Sequence, residues 1–182
     1  MPAEGPNSIF IRTPARLHLG FLDLNGNLGR RFGSIGLALT EICTELAGTR
    51  AGDRVEVFGP DSARVREYAR RLLDETGLSG GIRLEVLRAI PGHAGLGSGT
   101  QLALATGVAV CRLFKLRLTV DEIARLLGRG QRSGIGVGTF QRGGFLLDGG
   151  HGRASVIPPV LCHMPVPEAW RFLLVLNRKG RG

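Results

Sequence analysis

A glycine-rich segment at the start of a predicted helix constrains this chain more than any other feature. Residues 91–100 read Pro-Gly-His-Ala-Gly-Leu-Gly-Ser-Gly-Thr; they follow a strand pattern over residues 82–89 and lead into a mostly apolar helix pattern over residues 100–114. Glycines let the backbone approach a ligand, and the first turn of a helix offers free N–H groups and the positive end of its dipole. The segment therefore predicts a phosphate-binding loop. Its binding residues are predicted to be Gly95, Leu96, Gly97, Ser98, Gly99 and Thr100.

Two widespread phosphate-binding motifs do not fit this segment. Walker A requires Gly-Lys-Ser/Thr, and no lysine follows these glycines. The dinucleotide fingerprint requires a glycine three places after Gly97, where Thr100 stands. A glycine-rich turn that binds no ligand is the remaining alternative.

The rest of the chain mixes strand and helix patterns. Residues 61–76 predict a helix with Asp61 as its N-cap, and Thr119 with Glu122 forms a capping box for a short helix. The elements do not alternate regularly, which predicts an α+β fold with a mixed or antiparallel sheet packed against helices. Further strands are predicted at residues 9–13, where Pro14 ends the strand, and at residues 16–22, 35–40, 54–58, 140–147 and 172–176.

Composition and charge limit the classes of function. Hydrophobic residues make up 43% of the chain, and no apolar run is as long as a membrane span. The short polar N-terminus lacks a signal-peptide pattern, so we expect a cytoplasmic protein without a membrane partner. The net charge of +9 comes almost wholly from arginine. It reflects the composition of the gene, the binding of a phosphorylated small molecule, or the binding of nucleic acid.

Nucleic acid is the weakest of these three explanations, because the arginines are scattered and aromatic residues make up only 5% of the chain. The sequence also lacks a metal-binding or disulfide pattern. The four histidines form no i, i+4 pair, and the three cysteines have no CxxC spacing. We therefore predict neither a zinc site nor a disulfide framework. The cysteines are Cys43, Cys111 and Cys162.

The glycine-rich segment resembles the second motif of the GHMP superfamily, which encloses the phosphates of ATP in kinase members. Residues 13–16, Thr-Pro-Ala-Arg, are similar to an early Pro-Gly/Ala-Arg motif of the same kinases. This resemblance implies a GHMP N-terminal domain, with the fold of domain 2 of ribosomal protein S5. Because family members are considerably longer, we expect residues 1–182 to be that domain, truncated before a C-terminal domain that begins near residues 160–182.

Longer stretches resemble one subfamily, the β-ribofuranosylaminobenzene 5′-phosphate synthases. This resemblance implies condensation of phosphoribosyl pyrophosphate with 4-aminobenzoate or 4-hydroxybenzoate, with loss of pyrophosphate and CO2, in tetrahydromethanopterin biosynthesis. We expect Mg2+ to accompany the phosphates and expect no organic cofactor; a homodimer is compatible with this reading. The matching stretches are residues 16–26, 34–38, 97–102, 128–130, 132–140, 143–145 and 148–151.

One departure from the kinases bears on the reaction. Kinases such as mevalonate kinase carry a base in a Ser-Gly-x-Asp sequence, whereas residues 133–139 here read Ser-Gly-Ile-Gly-Val-Gly-Thr and contain no carboxylate. A hydroxyl acceptor is activated less well without that base. The synthase is therefore favoured. An ATP-dependent small-molecule kinase and an inactive phosphate-binding fragment are the open alternatives.

The resemblance also suggests roles for particular residues. Departure of pyrophosphate gives the anomeric carbon positive charge, which the carboxylate of Asp23 is predicted to face. Arg16 or His18 is predicted to hold the carboxylate of the aromatic acid. For each residue the alternative is an ordinary turn or surface role. The predicted substrate-binding residues are Asn25, Arg30, Arg132 and Ser133.

Overall fold

A long antiparallel hairpin is the frame of the sheet in the computed structural model, which describes residues 7–27, 29–152 and 156–176. One edge of the second strand pairs with the first strand, and its other edge pairs with two later strands. The strands are β1 (Ser8–Asp23), β2 (Phe32–Arg50), β3 (Val55–Phe58), β4 (Ile82–Arg88), β5 (Phe145–Asp148) and β6 (Val160–Met164). The helices are α1 (Ser62–Glu75), α2 (Ser98–Leu113), α3 (Val120–Leu126) and α4 (Ile135–Arg142).

The six strands form one mixed sheet. Its order is β3-β4-β2-β5-β6, with β1 beside β2. β4 and β5 follow each other along the same edge of β2, and both are antiparallel to it. β3 is parallel to β4, and α1 connects them. The predicted α+β fold with a mixed sheet and packed helices is confirmed.

The main hydrophobic core lies between this sheet and the helices. The alternation in β4 buries Ile82, Leu84 and Val86 and leaves Arg83 and Glu85 exposed, as the period-two pattern predicts. α2 is buried along most of its length, which explains why its sequence is apolar on all sides. α3 begins with the predicted capping box, in which Thr119 Oγ1 accepts from the Glu122 N–H at 3.2 Å.

Pro14 does not end the first strand, contrary to the prediction. β1 continues through it, and the two predicted strands over residues 9–22 are one. Pro14 lies opposite Cys43, but the next residue, Ala15, lies opposite Leu39. Residues 40–42 of β2 therefore bulge out of the ladder beside a residue that has no N–H to donate.

The strand predicted at residues 140–147 was wrong in its first half. Residues 135–142 form α4, and β5 starts only at Phe145. Because glycines lower helix propensity, the sequence of this segment did not predict a helix. The tertiary packing of α4 nevertheless requires these glycines. A Cβ at Gly138 would lie 3.0 Å from Val160 Cγ2 and 3.1 Å from Leu146 Cδ1.

Two other predictions were also wrong. Residues 172–176 form no strand, and their apolar side chains are largely exposed, with Leu173 at 90%. Asp61 adopts φ 57° and makes no side-chain cap to α1; its carboxylate pairs instead with Arg64 at 3.0 Å. A left-handed residue points its side chain away from the N–H groups that a cap must reach.

β6 was not predicted, and it extends the same sheet beyond β5. The start of a following domain near residues 160–182 stays a prediction, and residues 177–182 lie outside the described part of the chain. Among the described helices, none has both the length and the apolar character needed to cross a membrane.

The closest approach of α4 to the sheet depends on Gly36. A Cβ there would lie 2.1 Å from Ile135 Cγ2 and 2.9 Å from the Leu17 carbonyl oxygen. We expect Gly36→Ala to lower the free energy of unfolding by about 1–3 kcal/mol through overpacking. Urea denaturation measures this change. Gly92→Ala is the matched control because its Cβ would meet nothing within 4 Å; equal effects of the two substitutions would contradict the prediction.

Candidate active site

The predicted phosphate loop leads directly into α2. Gly97 is the N-cap with a left-handed φ of 78°, and its carbonyl accepts from the Thr100 and Gln101 N–H groups at 3.1 and 3.2 Å. The N–H groups of Ser98 and Gly99 precede these bonds and have no acceptor within the helix. The loop therefore presents backbone donors at the positive end of the longest helix, as a phosphate site requires.

Arg16 of β1 fixes the position of this loop. Its backbone N–H donates to the Leu96 carbonyl at 3.0 Å, and its guanidinium donates to the Gly95 carbonyl at 3.1 Å. A Cβ on Gly97 would lie 2.7 Å from Arg16 Cγ, so the loop needs glycine there for space as well as for conformation. The Leu96 side chain is buried in a small apolar cluster. Leu96 can therefore offer a ligand only its backbone.

A second helix start faces the same region. Gln101 of α2 donates to the Gly136 carbonyl of α4 at 2.8 Å and is also hydrogen-bonded to Thr13 of β1. Gln101, Thr13 and Gly136 are all buried. This contact holds α2, α4 and β1 together, so the first turns of both helices open on one side of the sheet.

The buried carboxylate of Asp148 ties α4 to the strands. Its Oδ2 accepts from Ser34 Oγ at 2.5 Å, Ser133 Oγ at 3.0 Å and the Gly134 N–H at 2.8 Å. Its Oδ1 accepts from the Ser34 and Gly150 N–H groups at 3.1 and 2.9 Å. Five donors on a residue that is 1% exposed leave it no capacity to bind a ligand. Asp148 is a structural residue of the site.

His18 lies on β1, where the charges of Arg16 and Asp148 have opposite effects on its pKa. Desolvation lowers its pKa, Arg16 lowers it further, and Asp148 opposes the change. The ring is therefore neutral near pH 7, and its buried Nε2 has no hydrogen-bond partner. Burial also lowers the pKa of Arg16, whose buried Nε is likewise without a partner. Arg16 thus presents an unused nitrogen next to the phosphate loop, and His18 presents one two residues further along β1, opposite Gly36.

The remaining predicted residues lie elsewhere or have structural partners. Asp23 Oδ1 accepts from the Asn25 and Gly26 N–H groups at 3.2 and 2.8 Å, so it shapes the turn between β1 and β2. Arg30 donates to the carbonyls of Gly149 and Gly150 at 2.5 and 2.8 Å and clamps the end of β5.

Ser133, unlike those residues, lies at the start of α4, where its Oγ also accepts from the Ile135 N–H at 3.1 Å. Arg132, its neighbour in sequence, is exposed. The structure therefore gathers Arg16, His18 and Ser133 near the two helix starts and leaves the turn residues at the far end of the hairpin. The catalytic and binding roles of all these residues stay predictions.

Comparison with known proteins agrees with this geometry. The family model described as "GHMP kinases N terminal domain" matches residues 63–144, which include the phosphate loop, α2 and α4. The crystal structure of Methanococcus jannaschii mevalonate kinase superposes with a TM-score of 0.59 at 19% identity, over 76% of this chain and 52% of that one. Residues 63–144 belong to the GHMP N-terminal domain family, and the described chain has the fold of that domain.

The sequence is also similar to curated enzymes of one type. It is 43% identical over 156 residues to the beta-ribofuranosylphenol 5'-phosphate synthase of Methanocaldococcus jannaschii, covering 79% of this chain and 47% of the relative. It is 36% identical over 196 residues to the synthase of that name from Methanothermobacter thermautotrophicus, covering 95% of this chain and 59% of the relative. The chain thus spans about half the length of the curated relatives it matches.

The Asp148 network leads to a stability prediction. Asp148→Asn replaces an acceptor oxygen with an N–H2 group that faces other donors, so we expect the free energy of unfolding to fall by about 2–4 kcal/mol. Chemical denaturation measures the loss. Asp53→Asn, at an exposed turn position, is the control and should change stability by less than about 0.5 kcal/mol. A loss at Asp148 no larger than the control would contradict the role of the network.

The environment of His18 leads to a pH prediction. Because its pKa is lowered in the folded state, the unfolded chain binds the proton more readily, and stability falls as the pH drops below about 6.5. Histidine ring signals in an NMR titration report this pKa directly. Arg16→Gln should raise the pKa of His18, whereas Arg12→Gln, an exposed change on the same strand, should not. No shift with Arg16→Gln would refute the electrostatic contact.

Proposed function

We propose that this chain is the phosphate-binding part of a synthase that joins phosphoribosyl pyrophosphate to 4-hydroxybenzoate or 4-aminobenzoate, in the biosynthesis of tetrahydromethanopterin. Its relatives at 43% and 36% identity carry the name of a ribofuranosylphenol 5'-phosphate synthase. A cytoplasmic location and a phosphorylated small-molecule substrate are part of the proposal. The observation that carries it is the chemistry available at the start of α4.

That helix start contains no base. The last position of the kinase Ser-Gly-x-Asp sequence corresponds to Gly136, which is buried. A Cβ at Gly136 would lie 3.0 Å from Thr100 Cγ2, so a carboxylate at this position would face the first turn of α2. Asp148 cannot replace it, because five hydrogen-bond donors already occupy its oxygens.

The proposed condensation needs no base. The ring carbon that bears the carboxylate attacks the anomeric carbon, a carbon–carbon bond forms, and the bond to pyrophosphate breaks. The carboxylate then leaves as CO2, and the electron pair of its bond restores the aromatic ring. No proton is removed at any step, whereas phosphorylation of a hydroxyl must release one. A site with helix starts and arginines but no base suits the condensation.

The residues around the loop suit the charges that this reaction creates. The N–H groups of Ser98 and Gly99 stabilise the departing pyrophosphate. Arg16 and neutral His18 hold the carboxylate of the aromatic acid through their unused nitrogen atoms. Asp23, Asn25 and Arg30 lie in the hairpin turn away from the helix starts, so their predicted contacts with the substrate stay predictions, as do those of Arg132 and Ser133.

Magnesium is proposed only as a companion of the substrate phosphates. Over residues 7–27, 29–152 and 156–176, no three His, Cys, Asp or Glu side chains are grouped to hold a metal ion. Every step above rests on protein groups. A homodimer likewise stays a prediction.

Parallel calorimetric titrations with phosphoribosyl pyrophosphate and with ATP, both with magnesium, test the proposal. We expect preference for phosphoribosyl pyrophosphate, and release of labelled CO2 from carboxyl-labelled 4-hydroxybenzoate only when it is present. Gly97→Ala should weaken binding at least about ten-fold because it displaces Arg16 and strains a left-handed residue. Gly92→Ala, in the same loop but with open space, is the control.

Each other result has a definite meaning. Preference for ATP together with phosphate transfer to a hydroxyl would replace the synthase with a kinase. Binding of phosphoribosyl pyrophosphate without release of CO2 would show that the chain binds phosphate but does not catalyse the condensation.

A further inference from the structure

Three arginines around the phosphate loop share an uncommon property. Arg16, Arg64 and Arg129 each have a buried Nε atom without a hydrogen-bond partner among the described residues. Buried N–H groups in folded proteins nearly always have an acceptor. Three missing acceptors around one loop indicate that a ligand supplies them.

Arg64 and Arg129 converge on the first turn of α2. Measured from a Cβ built on Gly99, Arg129 Nη1 lies at 3.7 Å and Arg64 Nη1 at 3.9 Å. Arg64 comes from α1 and Arg129 from the connection between α3 and α4, so the fold brings them together from distant parts of the chain. Arg16 borders Gly97, two residues earlier in the loop, with its Nε 3.2 Å from a Cβ on Gly97.

Both side chains are held in place by one nitrogen. Arg64 Nη2 pairs with Asp61 Oδ2 at 3.0 Å, and Arg129 Nη2 donates to the Tyr68 hydroxyl. The guanidinium carbon of Arg129 also lies 5.1 Å from the centre of the Tyr68 ring. In each arginine, Nη2 is therefore anchored, Nη1 lies beside Gly99, and Nε is unused. This common arrangement orients two planar forks before any ligand arrives.

The convergence is electrostatically unfavourable without an anion. Two guanidinium groups and the positive end of the α2 dipole repel one another, and desolvation strengthens that repulsion. The ion pair with Asp61 neutralises Arg64, whereas Arg129 donates to a tyrosine hydroxyl and not to a carboxylate. A multiply charged anion at Gly99 would remove the repulsion and provide acceptors for both Nε atoms.

We propose that Arg64 and Arg129 bind the pyrophosphate group of the substrate, with one phosphate on the N–H groups of Ser98 and Gly99 and the other between the two guanidinium groups. The inference rests on the proposed function for the identity of that substrate. It adds two substrate-binding residues to the site and makes the site selective for a pyrophosphate over a single phosphate. Both forks stabilise the same negative charge when pyrophosphate leaves.

Calorimetric titration of the full 182-residue chain with inorganic pyrophosphate, and separately with inorganic phosphate, tests the inference. Pyrophosphate should bind more tightly, and Arg64→Gln or Arg129→Gln should each weaken it about ten-fold to a hundred-fold. Arg70→Gln, an exposed change of equal charge on α1, is the matched control and should weaken it less than about three-fold. If Arg64→Gln and Arg129→Gln weaken pyrophosphate binding no more than Arg70→Gln, the inference is wrong.

Two conservative variants separate hydrogen bonding from net charge. Arg64→Lys keeps the charge but loses the fork, so it should recover only part of the affinity lost in Arg64→Gln. Tyr68→Phe removes the anchor of Arg129 and should weaken pyrophosphate more than inorganic phosphate. Full recovery with lysine would overturn the assigned geometry. If Arg129→Gln fails to fold, as thermal unfolding would show, the Arg64 pair and Tyr68→Phe decide the question.

The inference and the proposed function fail in different ways. Arginine-dependent binding of pyrophosphate without release of CO2 from the aromatic acid would contradict the synthase reaction and leave the pyrophosphate site in place. Release of CO2 that is insensitive to Arg64→Gln and Arg129→Gln would support the synthase and refute the roles of these arginines.

Discussion

The buried carboxylate of Asp148 is the interaction on which the site depends most. It joins β5, on which it lies, to Ser34 of β2 and to the start of α4 at Ser133 and Gly134. An unpaired buried charge would cost several kcal/mol, and this one is satisfied by five donors, two from Ser34 of β2, two from the start of α4 and one from Gly150 after β5. Asp148 keeps all of these hydrogen bonds only when β2, β5 and the start of α4 lie next to one another. This arrangement places α4 against the sheet and beside α2.

Close approach of backbones provides the second constraint. Gly36 lets α4 contact the sheet, Gly136 lets it contact α2, and Gly97 lets the phosphate loop contact Arg16. None of these positions has room for a side chain without movement of its neighbours. The same glycine at position 136 that permits the packing also removes the carboxylate found in kinases. One glycine therefore accounts both for the close packing of α4 against α2 and for the absence of a carboxylate at this position.

Local signals in the sequence predicted local features well. The capping box of Thr119 and Glu122, the alternation in β4 and the loop before α2 all depend on residues close in sequence. The prediction was wrong where distant residues decide the outcome. Pro14 stays within a strand because β2 bulges beside it, and the glycine-rich α4 is a helix because Val160 and Leu146 pack against its glycines. The apolar residues 172–176 resemble a strand but have no strand partner in the described chain.

By itself, the sequence determined the class of fold, the phosphate loop and the absence of a base after Ser133, because each of these features depends on residues that are close together in the sequence. Only the tertiary structure decided which charges surround the loop. Arg64 lies in the helix predicted over residues 61–76, and Asp148 lies in the matching stretch 148–151; neither was singled out from the sequence, yet Arg64 reaches Gly99 and Asp148 holds α4. The physical reason is that charge–charge and hydrogen-bond energies depend on distance in space, which local sequence patterns do not contain.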